Sequence, residues 1–140
     1  MLAFADGNKK HDIYGVIKVL DARSGALRAT LGSGKYMIGC PCWNPDGTEL
    51  AYIEGKELKV WRMADNATRI LRTLPDKLIC YHVVFGTGLV GYVAGESGSS
   101  SKPLVVLDSR DGKELRKITA QFNGDILLLG GNTVVCEIGY

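Results

Sequence analysis

The sequence predicts an all-β protein built from repeated four-stranded antiparallel units. Short apolar runs rich in β-branched residues alternate with polar turns along the chain, which is the pattern of successive strands. The 140 residues include 18 glycines and 4 prolines without a low-complexity tract, which indicates many tight turns. The same order of strands and turns also recurs at a nearly constant spacing. No segment keeps a helical period over the length of a normal helix.

One hairpin occurs three times, in segments 16–31, 57–74 and 103–119. Each copy has an apolar strand, a polar turn and a second strand in which Leu or Ile lies among basic residues. In the first and third copies an aspartate opens the turn, and Gly25 or Gly112 occupies the position where a positive φ is expected. This is the pattern of a type I turn followed by a glycine bulge.

A second hairpin precedes the last two copies, in segments 38–53 and 79–93. The turn of the first of these is Asn44-Pro45-Asp46-Gly47. Pro45 is preset for the second position of a turn, and Gly47 can adopt the left-handed conformation that closes it. Two hairpins in succession make a unit of four strands, which we label a to d.

Four such units are predicted, at approximately 1–31, 36–74, 78–119 and 125–140. The first unit begins at strand b, and the last ends after strand b. Asp21, Arg62 and Asp108 occupy equivalent positions 41 and 46 residues apart, which is near the length of a β-propeller blade. We therefore predict a single β-propeller-type segment of about three to three and a half blades. The ring is incomplete, because propellers usually close with about four to eight blades.

Segment 43–61, WNPDGTELAYIEGKELKVW, resembles a blade of the WD-repeat propeller family. In that family an Asn/Ser-Pro-Asp-Gly turn joins strands a and b, and a tryptophan followed by aspartate closes strand c. Trp61 stands at the tryptophan position with Arg62 in place of the aspartate, whereas Asp21 and Asp108 keep the aspartate without the tryptophan. The opening of the segment is also similar to the periplasmic Tol-type propellers, and the Asp-to-Gly turns are similar to quinoprotein-type blades. The resemblance implies a propeller, with the WD-repeat type as the favoured class.

The residues with potential chemistry are interpreted as packing residues. The aromatic residues of segment 43–61 align with apolar positions in the other units, which predicts inter-blade packing for Trp43, Tyr52 and Trp61. The cysteines lack the spacing of a zinc knuckle and lie in apolar contexts, so we predict small buried hydrophobes at Cys40, Cys42, Cys80 and Cys136.

The sequence contains no pattern typical of catalysis. His11 lies in a polar loop and His82 in an apolar strand, and neither has a nearby nucleophile motif. Segment 31–36, LGSGKY, lacks the first glycine of a phosphate-binding loop, and Tyr36 follows the lysine where Ser or Thr is required. Most aspartates fall at turns, where they cap backbone N–H groups. We therefore expect no catalytic residue, no metal and no cofactor.

Charge and hydropathy restrict the partners. The formal net charge is +2, with 17 basic residues interspersed among 15 acidic ones, so no basic stripe favours nucleic acid or an anionic membrane. No apolar run approaches the roughly 20 residues that span a bilayer, and the first ten residues do not show the pattern of a secretory signal. These observations favour a cytoplasmic location and a protein partner.

We expect a non-catalytic protein–protein interaction scaffold of WD-repeat type that acts within a larger assembly. Two alternatives are open. One is a periplasmic Tol-type or quinoprotein-type propeller that binds a small molecule or acts in an enzyme, and the other is a structural module that completes a ring with another chain or a missing segment. The d-to-a and b-to-c loops share one face of a propeller, and binding residues concentrate on such loops. The candidate contact residues are Lys10, His11, Tyr14, Lys35, Tyr36, Lys77 and Phe122.

Overall fold

A computed structural model of the chain describes residues 1–7, 15–119, 126–128 and 134–136, and the side chains of 1–3 and 15–119. The regular structure in these ranges is β-strand. The strands are β1 (Leu2–Gly7), β2 (Gly15–Leu20), β3 (Leu27–Leu31), β4 (Ile38–Trp43), β5 (Glu49–Glu54), β6 (Glu57–Arg62), β7 (Ala67–Thr73), β8 (Ile79–Gly86), β9 (Leu89–Gly95), β10 (Leu104–Asp108), β11 (Glu114–Ile118), β12 (Ile126–Leu128) and β13 (Val134–Cys136). Within these ranges no helix is long and apolar enough to cross a membrane.

The strands form successive antiparallel sheets, as the repeat predicted. The first sheet is β1-β2-β3, the second is β4-β5-β6-β7, the third is β8-β9-β10-β11, and the last is the pair β12-β13. Strand β4 contacts β8, and β8 contacts β12, so the first strands of successive sheets lie side by side. This is the arrangement of propeller blades around an axis, and the described sheets form an incomplete ring.

Alternate side chains of each middle strand face opposite neighbours. In β5, Leu50 and Tyr52 pack with the first sheet, whereas Ala51 and Ile53 pack with the third. Each seam between sheets is therefore a separate apolar core, and the most extensive of these lies between the second and third sheets.

The predicted inter-blade packing of the aromatic residues is confirmed. Tyr52 and Trp61 are buried in the seam between the first and second sheets, and Trp43 packs against that cluster. The rings of Trp43 and Trp61 meet edge to face with their centroids 6.1 Å apart. These side chains therefore hold sheets together.

The cysteines also pack much as predicted. Cys40, Cys42 and Cys80 are free and partly buried against the core between the second and third sheets. Burial raises the pKa of each of these thiols, so they are protonated at neutral pH. The side chain of Cys136 lies outside the described residues.

The predicted turn geometry is present. Gly47 has φ +68° and donates its N–H to the Asn44 carbonyl oxygen over 2.9 Å. Gly25 and Gly112 have φ +70° and +72°, as the type I turn with a glycine bulge requires. In the second sheet Asn66 takes this position with φ +57°, and its Oδ1 accepts the Trp61 Nε1–H at 2.8 Å. Asparagine is tolerated there because its side chain bonds locally.

The second sheet compensates for the basic residue at position 62. An arginine cannot accept the turn's N–H groups as Asp21 and Asp108 do. Asp65 supplies the carboxylate instead: it accepts the Arg62 Nε–H at 3.0 Å and the Ala67 N–H at 3.3 Å. The turn thus keeps its shape, although it begins with the basic Arg62 and carries its carboxylate at Asp65.

Candidate functional site

A pocket opens on the face that carries the d-to-a and b-to-c connections, which we call the loop face. It has a volume of about 470 Å³ and lies between the β5–β6 turn of the second sheet and the start of β8 in the third. The loop-face pocket is lined by Tyr36, Met37, Ile53, Glu54, Gly55, Lys56, Glu57, Thr73, Leu78, Ile79 and Cys80. This volume is within the range of pockets that hold small molecules or anchoring side chains.

The β5–β6 turn forms one wall of the pocket. It has only two residues, Gly55 and Lys56. Gly55 has φ +60°, the conformation that glycine supplies at the first position of a type II′ turn. Its N–H donates to the Met37 carbonyl oxygen at 2.7 Å. The Tyr36 side chain packs over it so closely that a Cβ at this position would lie 3.4 Å from Tyr36 Cβ and Cγ. The turn and the residues before β4 therefore fit together.

Glu54 anchors the loop between β3 and β4 to this turn. Its Oε1 accepts the Ser33 N–H at 2.6 Å and the Ser33 hydroxyl at 2.7 Å, and its Oε2 lies 2.8 Å from Lys59 Nζ. Burial works to raise the pKa of Glu54, but Lys59 and Ser33 outweigh it, and the net effect lowers the pKa. Lys59 Nζ also pairs with Glu57 at 2.9 Å. The carboxylate is thus a fixed structural charge.

Lys56 connects the turn to the opposite wall. Its Nζ donates to the Leu78 carbonyl oxygen at 2.6 Å, and its own carbonyl oxygen accepts the Leu74 N–H at 2.8 Å. The Leu78 N–H in turn donates to the Pro75 carbonyl oxygen at 3.0 Å. Three separate segments of the chain are therefore joined around the pocket by hydrogen bonds, so its walls are preorganised.

The pocket walls are mainly apolar. Met37, Ile53, Leu78 and Ile79 contribute aliphatic surface. Burial, with a smaller contribution from the nearby Cys40 thiol, raises the pKa of Cys80 to about 12. A buried, protonated thiol is a poor nucleophile and behaves as an apolar group. The pocket is suited to hold an apolar group by shape and burial.

The mouth of the pocket exposes two apolar side chains. Tyr36 is 57% exposed and Met37 is 43% exposed, although both line the cavity. Exposed tyrosine and methionine beside a concave apolar site are typical of surfaces that bind other proteins. The pocket and its rim therefore form one continuous apolar surface.

The structure places three of the candidate contact residues around this surface. Tyr36 lines the pocket, Lys35 precedes it on the exposed loop between β3 and β4, and Lys77 lies in the turn just before Leu78 on the other side. Neither lysine lines the cavity itself. The other candidates lie outside the described residues: Lys10, His11, Tyr14 and Phe122. His82, predicted as a strand residue, is half-buried in β8.

The β5–β6 turn is a part of this surface that was not among the predicted contact residues. The local sequence Glu54-Gly55-Lys56-Glu57 has the glycine of a two-residue hairpin, which could have located the turn. Its charges, however, are typical of a solvated turn. The contact between Lys56 and Leu78 joins positions 22 residues apart, and no local pattern predicts it.

The described side chains contain no group of three or more His, Cys, Asp or Glu residues placed to hold a metal ion.

No family model and no curated protein sequence matches the chain. Among solved structures, TolB from Acinetobacter baumannii superposes with a TM-score of 0.68 at 14% identity over 91% of this chain and 32% of that one. Putative TolB from Agrobacterium tumefaciens gives 0.62 at 14% identity, over 85% of this chain and 46% of that one. An oligogalacturonate lyase in complex with manganese gives 0.52 at 16% identity, over 76% and 32%.

These likenesses show the fold. The chain has the architecture of the TolB β-propellers and spans less than half the length of each of these three proteins. The predicted all-β, propeller-type fold with an incomplete ring is therefore confirmed. The finer assignment to the WD-repeat type receives no support from these neighbours.

Proposed function

We propose that the chain is a non-catalytic, protein-binding segment of a Tol-type β-propeller and that its partner binds at the loop-face pocket. The observation that carries this proposal is an apolar, preorganised pocket that opens beside the exposed side chains of Tyr36 and Met37. The two TolB neighbours favour the Tol type over the WD-repeat type that the sequence favoured. The cytoplasmic location stays a prediction. The Tol-type alternative predicts a periplasmic location instead.

The shape of the seam favours an extended protein segment over a compact ligand. A second hollow of about 420 Å³ adjoins the loop-face pocket, and Thr73 and Leu78 line both. The second hollow is more polar, because Arg72 and Glu114 line it and form an ion pair across the seam at 3.0 Å. Two joined hollows of different polarity suit a peptide that places an apolar side chain in one and polar groups in the other.

The proposal is tested with a phage-displayed library of random peptides selected on the wild-type chain. We expect the selected peptides to share an apolar anchor residue. Their affinity should fall about tenfold or more in the Lys35→Ala/Tyr36→Ala double variant, because truncating a tyrosine at an interface hot spot costs about 2 kcal/mol or more and 1.4 kcal/mol is tenfold. Isothermal titration calorimetry with the synthetic peptides measures this change.

Two control variants separate binding from folding. Tyr36→Phe keeps the ring over Gly55 and should retain most of the affinity, and Ile70→Ala changes a similarly exposed apolar residue on β7, away from the pocket. The melting temperature of the double variant should fall only slightly, because both side chains are exposed and the loss is limited to the contact of Tyr36 with Gly55. Peptides that bind the double variant as tightly as wild type would exclude this face as the binding surface.

A further inference from the structure

The second hollow extends the loop-face pocket along the seam between the second and third sheets. The pocket reaches the first strand of the third sheet, where Ile79 and Cys80 of β8 line it. The second hollow is lined by residues of β7 and β11, the last strands of the two sheets, together with residues of β9 and β10. The two hollows therefore form one groove from the inner to the outer side of the seam, which we call the seam groove.

The outer end of the seam groove has a buried, mainly apolar floor. Tyr92, Ala94 and Val105 line the second hollow, and all three side chains are buried. The charged side chains of the lining come from β7 and β11. Charges beside a buried apolar surface are less screened by water than charges on an open surface, so they attract an opposite charge more strongly.

The charges that line this outer end are net positive. Arg72 and Lys117 are the cations, and Glu114 is the carboxylate. The Arg72–Glu114 pair joins one nitrogen to one oxygen at 3.0 Å, so the guanidinium, which has five N–H donors, keeps donors for a further acceptor. Lys117 is exposed and has no ion-pair partner among the described residues. A carboxylate from another molecule would therefore meet one unpaired cation and a second cation with free donors.

The inner end of the seam groove has balanced charges. Glu54 and Glu57 line the loop-face pocket, and both carboxylates pair with Lys59, at 2.8 and 2.9 Å. Lys56 also lines this pocket and supplies the second positive charge, while its Nζ donates to the Leu78 carbonyl oxygen. The groove thus has a neutral, mainly apolar inner end and a cationic outer end.

We propose that the seam groove binds an extended peptide with an aspartate or glutamate about three residues from its apolar anchor, and that Lys117 and Arg72 bind this carboxylate. The acidic residue adds to the proposed function, on which this proposal rests, because the anchor fills the loop-face pocket. Adjoining hollows of about 470 and 420 Å³ have centres on the order of 10 Å apart, and about three extended residues at about 3.3 Å each cover that distance.

The phage-displayed library of random peptides also tests this charge preference. Peptides selected on the wild-type chain should be enriched in Asp or Glu about three residues from the apolar anchor. Peptides selected on Lys117→Glu should instead carry Lys or Arg there, because the charge of the outer end is reversed. Lys113→Glu is the matched control: Lys113 is exposed just before β11 and lines neither hollow, so this variant should select the same acidic peptides as wild type.

Isothermal titration calorimetry measures the preference with pairs of synthetic peptides that differ only by Asp or Asn. Their C-termini are amidated, so the side-chain carboxylate is the only difference in charge. The wild-type chain should bind the Asp form about three- to fivefold more tightly at low salt and by a smaller factor at high salt, as for a partly exposed ion pair. Lys117→Glu should bind the Asp form no better than the Asn form.

A second variant guards against a folding defect. Lys117→Gln removes the cation without placing another carboxylate beside Glu114, and it should reduce the preference to about twofold or less even if charge reversal lowers the melting temperature. Anchored peptides without an acidic preference, or a preference that Lys117→Gln leaves unchanged or Lys113→Glu abolishes equally, would overturn this proposal and leave peptide binding at the loop-face pocket intact. Selected peptides without an apolar anchor would overturn the proposed function and this proposal together.

Discussion

The turn of the first sheet, Asp21–Gly25, and that of the third, Asp108–Gly112, have the same local structure in different surroundings. The glycine N–H donates to the aspartate carbonyl oxygen at 2.8 Å in the first turn and 2.9 Å in the third, and φ of the glycine is +70° and +72°. Yet the first turn is open to solvent, while the third packs on the Leu71 carbonyl. Local sequence determines the shape of such a turn, and the neighbouring sheet determines how much a substitution in the turn lowers the free energy of unfolding.

The carboxylates of Asp21 and Asp108 also differ in the groups that lower their pKa. The Ser24 N–H, followed by Arg28 and the Arg23 N–H, lowers the pKa of Asp21 well below its ordinary value. The Arg110 side chain, followed by the Arg110 N–H, lowers the pKa of Asp108 to about 2. The Asp21 carboxylate is stabilised mainly by the backbone of its own turn. The Asp108 carboxylate is stabilised mainly by the long cationic side chain of Arg110, which is 85% exposed.

A large difference in stability is expected between substitutions at the two glycines. Gly25→Ala should cost about 1–2 kcal/mol in the free energy of unfolding, which is the penalty of the left-handed conformation for an L-residue. Gly112→Ala carries the same penalty plus a clash with backbone, and should cost at least about 3 kcal/mol. Urea unfolding followed by tryptophan fluorescence measures both. Equal costs would show that the third turn does not pack on the second sheet.

A difference of similar size is expected at the leucines where the strands enter these turns. Leu107→Ala removes a fully buried side chain from the seam between the second and third sheets and should destabilise by about 2–5 kcal/mol. Leu20→Ala changes the equivalent, partly exposed residue and should cost about 1 kcal/mol or less. Urea unfolding of the two variants and of the wild type provides the comparison. A large loss at Leu20 under these conditions would contradict it.

The smallest effect concerns salt and pH. Because both carboxyl pKa values lie below the ordinary value of 3.8, both groups stabilise the fold above that pH, and the contribution is lost as pH falls through the folded pKa. Salt screens the exposed Arg110, so it should raise the pKa of Asp108 more than that of Asp21.

Carboxyl-carbon NMR titrations at low and high salt measure this difference directly. Arg110→Ala should move the pKa of Asp108 upward, and Arg28→Ala should move that of Asp21 by less, because the Ser24 N–H remains. Equal shifts in the two variants would mean that the backbone of the first turn contributes little.

The fold was predictable from the sequence because its strongest signals are local. A glycine four residues after Asp21 or Asp108, or a Pro-Asp-Gly turn after Asn44, determines a turn with little help from the rest of the chain. Repetition of these signals then gave the strand order of the sheets, and the described strands follow it.

The pocket was predictable only in part because it is formed by contacts between distant segments. Tyr36 was a candidate from its place in a connecting loop, but its partner Gly55 and the bond from Lys56 to Leu78 depend on the packing of two sheets. Local signals also do not decide between types of propeller, since Arg62 departs from the WD-repeat motif while Asp65 restores the turn by a different bond.

The separate apolar core in each seam has a consequence for how the chain opens. Because the sheets pack chiefly on their nearest neighbours, unfolding is expected to proceed sheet by sheet, as in a one-dimensional array. The seam between the second and third sheets has the most extensive core, so amide protons of β5, β6, β9 and β10 should exchange last with solvent deuterium. The paired strands β12 and β13 have only three residues each and should exchange first, so local opening is expected to begin at this pair.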